Sequence, residues 1–323
     1  ASVAEEAVGA GRLRVVRVAR PLYDRARLAR RAAWTVATNT RLLWAARREL
    51  RRADEVHFTG SPPFLVHWIV PLNVLLRRRL VYRISDLHPE VLIAELGRAP
   101  LALRALRAWT GFLRRRVDRI EALGEDQRRR LIEGGVAAER IEVRRSGSPV
   151  AIPPGTAPLA RPAELAGRVV LLYSGNFGVA HDDATFVEGY RRHHGEGSGR
   201  VGLWMNATGA KADRVEARLR ELGLPVHRSR PAPLAELARL LVTPDAHLVT
   251  LRDAFVGYVV PSKIYGCLAS GRPLLFVGSA ESDVDRLARA ALPAERYWRC
   301  DVGDPDAVAR ALERVADGAS AVR

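Results

Sequence analysis

The sequence predicts an α/β protein with two Rossmann-like domains that face each other across a cleft. Short apolar runs alternate with amphipathic segments of helical period, which is typical of parallel sheets covered by helices. Residues 146–167 are rich in Pro, Gly and Ser, lack apolar periodicity, and separate two such halves. A length of 323 residues also suits two domains. We therefore assign the first domain to residues 1–150 and the second to residues 151–323.

The first half alternates strands and helices as such a domain requires. The predicted strands are residues 13–18, 55–59, 80–85, 119–123 and 140–144. The predicted helices lie near residues 27–52, 63–77, 100–117 and 125–134. The apolar run at 62–76 is too short to cross a membrane and contains Pro71, so it predicts a buried helix.

The second half repeats the alternation. The predicted strands are residues 168–174, 201–207, 246–251 and 273–278. The predicted helices are residues 183–193, 210–222, 233–241, 263–270, 281–290 and 305–316. The carboxyl ends of parallel strands meet at one edge of the sheet, and open α/β sheets bind ligands at that edge.

Three loops at this edge predict a site for a nucleotide diphosphate. They are residues 173–183, 206–213 and 252–263. Gly175, Gly178 and Gly209 let the backbone approach a ligand closely. The third loop ends in the segment PSK (261–263), before a helix whose free N–H groups and dipole favour an anion. A plain capped helix with a solvated lysine is the alternative interpretation.

The charge of the chain is strongly positive and unevenly distributed. The net charge is +16, and residues 1–160 hold 30 basic against 16 acidic residues. Lys211 and Lys263 are the only lysines. A basic first domain indicates a polyanion or an anionic membrane surface as a partner, although an arginine-rich composition is also typical of a high-GC genome. For the helix at 102–120 we favour packing on the sheet with a charged outer face over contact with lipid.

The cysteines indicate a reducing compartment. Cys267 and Cys300 are far apart in a chain without a secretory signal pattern, so we expect a cytoplasmic protein without a disulfide. Association with the inner face of the membrane is an additional expectation. His193 and His194 are expected to face solvent in a loop, and no metal site is expected.

Several motifs resemble bacterial glycosyltransferases of the GT-B fold, in the family 4 group that builds capsules and exopolysaccharides. They are SPPFL (61–65), LVYRISDLHPE (80–90), ALGEDQRRRLIEGGVAAERIEV (122–143), YSGNFGVAHD (173–182) and VVPSKIYGCLASGRPLLFVG (259–278). The resemblance spans most of the chain. It implies a retaining transfer of a hexosyl or N-acetylhexosaminyl group from a nucleotide diphosphate sugar to a glycan or lipid-linked acceptor, without a metal or other cofactor.

The resemblance also suggests roles for individual residues. Asp86 and Lys263 are expected to be catalytic. The expected donor-binding residues are Gly175, Asn176, Phe177, Gly178, Gly209, Arg230, Tyr258, Val260, Pro261, Ser262, Lys263 and Ile264. The expected acceptor-side residues are Ser85, Asp86, His88 and Glu90. For Asp86 a capping role in the turn is an equal alternative, and His88 and Glu90 are weaker candidates. Asp253 is a further candidate for the cleft, with a solvated loop acid as an equal alternative.

The chain departs from the family pattern at several positions. Many relatives carry two glutamates around the third loop, and the corresponding residues here are Tyr258 and Gly266. Asn176 stands where many relatives carry an arginine, so either Lys263 provides more of the positive charge or Arg230 or Arg272 contributes. The chain is also expected to lack the family's first strand and last helix.

These departures leave other classes of function open. A catalytically degenerate nucleotide-sugar-binding partner protein and a nucleotide-sugar epimerase or hydrolase are the alternatives. Nucleic-acid binding is disfavoured because the basic half contains no recognised binding motif.

Overall fold

The computed structural model describes residues 2–19 and 28–320. The described residues divide into two compact units. The first comprises residues up to Leu123 together with Arg128–Arg144, and the second comprises Gly124–Gln127 and the residues from Arg145 onward. Each unit contains a parallel β-sheet.

The chain before the linker follows the predicted alternation closely. Its strands are β1 (Ser2–Val8), β2 (Gly11–Arg17), β3 (Glu55–Thr59), β4 (Arg79–Arg83), β5 (Arg119–Ala122) and β6 (Ile141–Val143). Its helices are α1 (Leu28–Arg52), α2 (Val66–Leu76), α3 (Glu90–Leu96), α4 (Leu101–Arg114) and α5 (Glu125–Glu133). Within the described residues, β3, β4, β5 and β6 form a four-stranded parallel sheet in that order.

The first predicted strand is present but does not join that sheet. β2 pairs antiparallel with β1, and Val3, Val8, Leu13 and Val16 are exposed on this hairpin. Its apolar residues alternate with arginine, so neither face offers the continuous apolar surface of a strand buried on both sides. The prediction that this segment belongs to the parallel sheet was therefore wrong.

Helices pack on the first sheet through apolar residues, as predicted. α2 buries Val66, Ile69 and Val70 despite its internal proline. α4 buries Leu113 in the core and exposes Trp109. None of the helices in the described part of the chain combines the length and apolar character needed to cross a membrane.

One face of the first sheet carries charged side chains. Glu121 on β5 is 4% exposed and accepts hydrogen bonds from Arg83 at 3.1 Å and Arg144 at 2.7 Å. Burial by itself raises the pKa of Glu121, but the hydrogen bonds from Arg144 and Arg83 outweigh it and lower the pKa. Part of the arginine excess of the first half is therefore neutralised on its own sheet.

The second unit is a six-stranded parallel sheet with helices on both faces. Its strands are β7 (Val169–Asn176), β8 (Val201–Thr208), β9 (Val226–Ser229), β10 (Ala246–Thr250), β11 (Leu274–Val277) and β12 (Tyr297–Cys300). Its helices are α6 (Ala184–Gly195), α7 (Ala210–Glu221), α8 (Leu234–Val242), α9 (Lys263–Ala269), α10 (Asp283–Ala291) and α11 (Pro305–Ser320). The spatial order is β12-β11-β10-β7-β8-β9.

Two hydrophobic clusters cover the two faces of this sheet. The larger one joins α6, α7 and α11 to the strands, with Phe186, Val215 and Leu312 among its members. The smaller one packs Leu240 of α8 against Leu172 and Trp204. Burial of this apolar surface is the main stabilising contribution to the unit.

The two cysteines are buried in the second unit. Cys267 lies in α9, Cys300 lies in β12, and both carry free thiols. Burial raises the pKa of each thiol to about 12. Neither thiol is therefore a reactive thiolate in the folded protein.

Gly189 is required for the packing of α6 on α11. A Cβ at Gly189 would lie 2.5 Å from Cβ of Val308 and 2.8 Å from the backbone oxygen of Pro305. We expect Gly189→Ala to destabilise the protein by about 1–3 kcal/mol, because the helices must separate. Gly195→Ala, at the end of the same helix and with nothing within 4 Å, is the matched control. Thermal unfolding measures both variants, and an equal midpoint for the two would contradict this account of the packing.

Candidate functional site

The order of the strands in the second sheet defines where a ligand can bind. β7 and β10 are neighbours, and the chain proceeds from β7 toward one edge of the sheet and from β10 toward the other. The loops after these two strands therefore diverge and leave a crevice at their carboxyl ends. The predicted loops at 173–183 and 252–263 are the ones that lie there.

Two glycines at this edge have backbone conformations that suit glycine. Gly175 has a φ of +117° and Gly209 has a φ of +106°. A Cβ at Gly209 would lie 2.8 Å from Oδ1 of Asn176, and one at Gly178 would lie 3.1 Å from its Nδ2. The structure therefore brings Gly175, Asn176, Gly178 and Gly209 together, as the sequence indicated.

The predicted role of Phe177 is not compatible with the structure. Its N–H donates to the carbonyl of Thr208 at 2.9 Å, so it is not available to a phosphate. Its ring is 2% exposed and stacks on Tyr173 with ring centroids 4.3 Å apart. Phe177 is a core residue that supports the loop.

Lys263 lies at the same edge and has an unusual environment. Its Nζ lies over the ring of Tyr173, 3.6 Å from the centroid, and 3.5 Å from Nε2 of His181. Its Cε lies 3.7 Å from the position of a Cβ on Gly175. Burial lowers the pKa of Lys263 to about 7, because no carboxylate among the described residues offsets the loss of hydration. An anionic ligand would supply the missing charge.

His181 connects the two strand ends and was not predicted. Its ring is buried, and its Nδ1 lies 2.6 Å from the carbonyl oxygen of Thr250, the last residue of β10. Burial, with a further contribution from the charges of Lys263 and Lys211, lowers the pKa of His181 to about 3. The imidazole is therefore neutral, and Nδ1 carries its proton because a carbonyl oxygen only accepts.

The start of α9 differs in part from its prediction. The backbone of Ser262 is already α-helical, and its side chain makes no capping hydrogen bond. Ile264 is fully buried, and Val260 is 7% exposed, so these two side chains pack in the core. Pro261 is buried, whereas Ser262 is exposed at the edge.

The remaining residues predicted to bind the donor differ in burial and in their distance from the ends of β7 and β10. Tyr258 is half-buried, and its N–H donates to the carbonyl of Phe255 at 2.9 Å. Arg230 is exposed just after β9, two strands from β7. Arg272 precedes β11 and donates to the carbonyl of Val242 at 2.6 and 3.0 Å, at the opposite edge of the sheet. The prediction that Arg272 helps Lys263 was therefore wrong.

Gly266, where the family resemblance implies a glutamate, lies close to the side chain of Leu241 on α8. A Cβ on Gly266 would lie 3.1 Å from Cδ1 of Leu241. A side chain at this position would require Cδ1 of Leu241 to shift by a few tenths of an ångström.

The predicted acceptor-side residues follow β4 in the first unit: Ser85, Asp86 and His88 lie on the loop, and Glu90 is the first residue of α3. Asp86 is half-buried, and burial raises its pKa, which suits a group that exchanges protons. Ser85 is exposed, and the ring of His88 lies 5.8 Å from that of Phe64. Glu90 instead accepts two hydrogen bonds from Arg114, at 2.7 and 3.1 Å. We correct the expectation for Glu90: its carboxylate is held by an internal ion pair.

The histidine pair lies in a helix, with His193 buried and His194 half-buried. His193 and His194 lie within α6, and His193 is 1% exposed with its Nδ1 2.5 Å from Oε1 of Glu313 on α11. The expectation of a solvent-facing loop was wrong because α6 continues to Gly195. Across the described residues, no group of three or more His, Cys, Asp or Glu side chains is placed to hold a metal ion.

Comparisons with known proteins agree on the fold. No protein-family profile matches the chain. It is 27% identical over 287 residues to the probable glycosyltransferase WbjE of Pseudomonas aeruginosa, covering 83% of this chain and 67% of that protein. It is similar to the structure of HepE from Anabaena in complex with UDP and glucose, with a TM-score of 0.63, 13% identity, and coverage of 87% and 76%.

A second solved structure gives the same result. The sucrose-phosphate synthase of Thermosynechococcus elongatus has a TM-score of 0.62 and 12% identity, with coverage of 89% of this chain and 70% of that one. The predicted GT-B fold with two Rossmann-like domains is confirmed, as is the resemblance to GT-B glycosyltransferases.

Proposed function

We propose that this chain, which has the GT-B fold of glycosyltransferases, transfers a sugar from a nucleotide diphosphate sugar to a glycan or lipid-linked acceptor. The observation that carries the proposal is the ammonium of Lys263 at the carboxyl edge of β7 and β10, beside Gly175. The edge offers a cation without a carboxylate partner, and a backbone without a Cβ, to a diphosphate. The UDP bound to HepE makes UDP the first nucleotide to test.

The chemistry follows from where charge develops. As the glycosidic bond to the donor phosphate breaks, negative charge accumulates on the leaving diphosphate, and Lys263 is placed to stabilise it. We propose transfer of a hexosyl or N-acetylhexosaminyl group with retention, independent of a metal ion. Asp86 is the proposed acid–base or orienting group on the acceptor side, supported by its raised pKa.

A transfer assay tests the proposal. The protein is incubated with UDP-, GDP-, ADP- and dTDP-sugars and a panel of saccharide and lipid-linked acceptors, with and without EDTA. We expect one donor to give acceptor-dependent release of nucleoside diphosphate at a rate that EDTA leaves unchanged. Failure of every nucleotide sugar to saturate the pure protein would remove the proposal, and loss of activity in EDTA would remove its metal-independent part.

A non-catalytic nucleotide-sugar-binding protein is the second candidate. It is favoured by Gly266 and Tyr258, which stand at the two positions where the family resemblance implies glutamates. Saturable nucleotide-sugar binding without transfer to any acceptor or to water would support this second candidate.

The affinity for UDP is expected to depend on the protonation of Lys263. Its pKa is lowered to about 7, so the ammonium is charged below this pH and neutral above it. The terminal phosphate of UDP keeps its charge across the range, since its last pKa is near 6. Affinity should therefore fall as the pH rises from about 7 to about 9, by at most about tenfold per pH unit. Calorimetric titration measures this, and an affinity that rises over this range would contradict it.

The basic first unit is proposed to approach an anionic membrane. Leu101 and Trp109 of α4 are 80% and 48% exposed, next to exposed Arg104 and Arg107. We expect the double variant Leu101→Ser/Trp109→Ser to sediment less with phosphatidylglycerol vesicles than the unmodified protein, while thermal unfolding is unchanged. Val179→Ser, an exposed apolar residue of the second unit, is the control. Equal sedimentation with neutral and anionic vesicles at low salt would remove this part of the proposal.

A further inference from the structure

Both lysines of the chain contact one residue, His181. Among 52 basic residues only Lys211 and Lys263 are lysines. Nζ of Lys211 donates to the backbone oxygen of His181 at 2.5 Å, and Nζ of Lys263 lies 3.5 Å from its Nε2. A lysine ammonium is a compact charge that can meet a single acceptor in a confined space, whereas a guanidinium is a wide planar fork. The confined space around His181 therefore suits a compact ammonium, whereas arginine serves at the other basic positions of the chain.

The ring of His181 is fixed in position and in tautomer. Its Nδ1–H donates to the carbonyl of Thr250, so Nε2 presents a lone pair. The rings of Tyr173 and Phe177 meet the imidazole edge-on, each at a centroid distance of 5.8 Å. The lone pair of Nε2 therefore points in a direction that the core determines, and the ammonium of Lys263 lies nearby.

Lys211 donates a hydrogen bond to the backbone of the same loop from an electrostatically unfavourable position. It lies in the first turn of α7, where the helix dipole disfavours a positive charge. It is nevertheless mostly buried, and its Nζ lies 2.7 Å from Oδ1 of Asp183 in addition to its contact with the oxygen of His181. A buried charge in this unfavourable place indicates that the conformation of the loop around His181 matters.

We propose that His181 is a positioning residue of the donor site: its neutral imidazole accepts a hydrogen bond from Lys263 and directs that ammonium toward the leaving diphosphate. This inference rests on the proposed function. The ring of Tyr173 and Nε2 of His181 restrict the ammonium from two sides, and its remaining N–H bonds are left for the ligand. A lysine on a flexible stem is thereby preorganised, which reduces the entropy lost on binding.

Two conservative variants separate the roles of the two ring nitrogens. His181→Asn keeps an N–H near the position of Nδ1, and so the bond to Thr250, but removes Nε2. His181→Gln places an amide oxygen near the position of Nε2 but gives up the bond to Thr250. We expect the Asn variant to bind UDP about tenfold more weakly, with the Gln variant closer to the unmodified protein. Equal UDP affinity of the Asn variant and the unmodified protein would overturn the proposal.

A measurement without ligand distinguishes failure of this inference from failure of the proposed function. Protein labelled with ¹³C-lysine should give two side-chain signals, which a Lys211→Met variant assigns. In the Asn variant the titration midpoint of Lys263 should fall, because the charged form loses an acceptor. An unchanged midpoint overturns the positioning role even if UDP binds. Absence of UDP binding by the unmodified protein, with the midpoint shift observed, leaves the contact in place and overturns only its link to UDP.

The tautomer can also be tested in the unmodified protein, without relying on a variant that folds. Long-range ¹H–¹⁵N correlation spectra of the imidazole should show the proton of His181 on Nδ1. A proton on Nε2 would leave no lone pair for Lys263 and would overturn the proposal.

Discussion

Lys263→Met is expected to weaken UDP binding by about 10- to 100-fold and to lower the turnover of the best donor by about 100-fold or more. The ammonium lies at the edge formed by β7 and β10, and methionine keeps the apolar stem while removing the charge. The loss should appear in both the donor affinity and kcat, because charge on the diphosphate grows as its bond to the sugar breaks. Calorimetry with UDP and initial rates with the best donor measure the two effects.

The same variant should not be less stable, which separates a functional loss from unfolding. The pKa of Lys263 in the folded protein, about 7, is below its ordinary value of 10.5. Burying the charged form therefore opposes folding fully below pH 7 and less as the pH rises toward 10.5. We expect the thermal midpoint of Lys263→Met to match or exceed that of the unmodified protein at pH 6. Arg218→Met, which removes an exposed cation from α7, is the control and should leave UDP binding unchanged. Unaltered UDP affinity in Lys263→Met would contradict the assigned role.

Arg114→Met is expected to destabilise the protein by about 3–5 kcal/mol, through loss of a partner for a buried charge. The side chain of Arg114 is 6% exposed and that of Glu90 is 13% exposed. The guanidinium donates to both oxygens of Glu90 and, at 2.7 Å, to the backbone oxygen of His88. Its removal leaves a carboxylate and a carbonyl without these donors in a mostly buried site.

A double-mutant cycle identifies the cause of that loss. Arg114→Met/Glu90→Gln removes both charges and should be less destabilised than the sum of the two single variants predicts. Arg107→Met, an exposed arginine on the same helix, should change the free energy of unfolding by no more than about 0.5 kcal/mol. Urea unfolding measures all four variants, and a loss in Arg114→Met as small as in the control would show that the pair is not important for stability.

The strands and helices were predictable where the local pattern and the fold agree. The apolar runs that became β7, β8, β10 and β11 are bounded by turns and buried, so period and length identify them. Four elements escaped prediction: β1 (SVAEEAV), β9 (VHRS), β12 (YWRC) and α3 (EVLIAEL). β9 and β12 are four residues long and contain arginine, so they become strands only because a neighbouring strand is present to pair with them.

The sequence predicted which loops form the site, but it did not predict the contacts that the side chains make there. The positions of Gly175, Gly209 and Lys263 followed from loops that leave parallel strands at one edge. The contacts of His181 could not be derived, because its partner Thr250 is 69 residues away and the distance depends on which strands are neighbours. The available signal was the rarity of lysine, since a chain that uses arginine almost everywhere retains lysine at two positions.

Because both thiols are buried in the second unit, their chemical modification can measure local unfolding of that unit. Since the sequence contains no other cysteine, an alkylating reagent can modify this protein only where Cys267 and Cys300 become accessible. Both side chains are shielded, so the rate of modification in native buffer measures how often α9 and β12 detach from the sheet. Mass spectrometry of the two peptides would distinguish opening of α9 from opening of the edge strand β12.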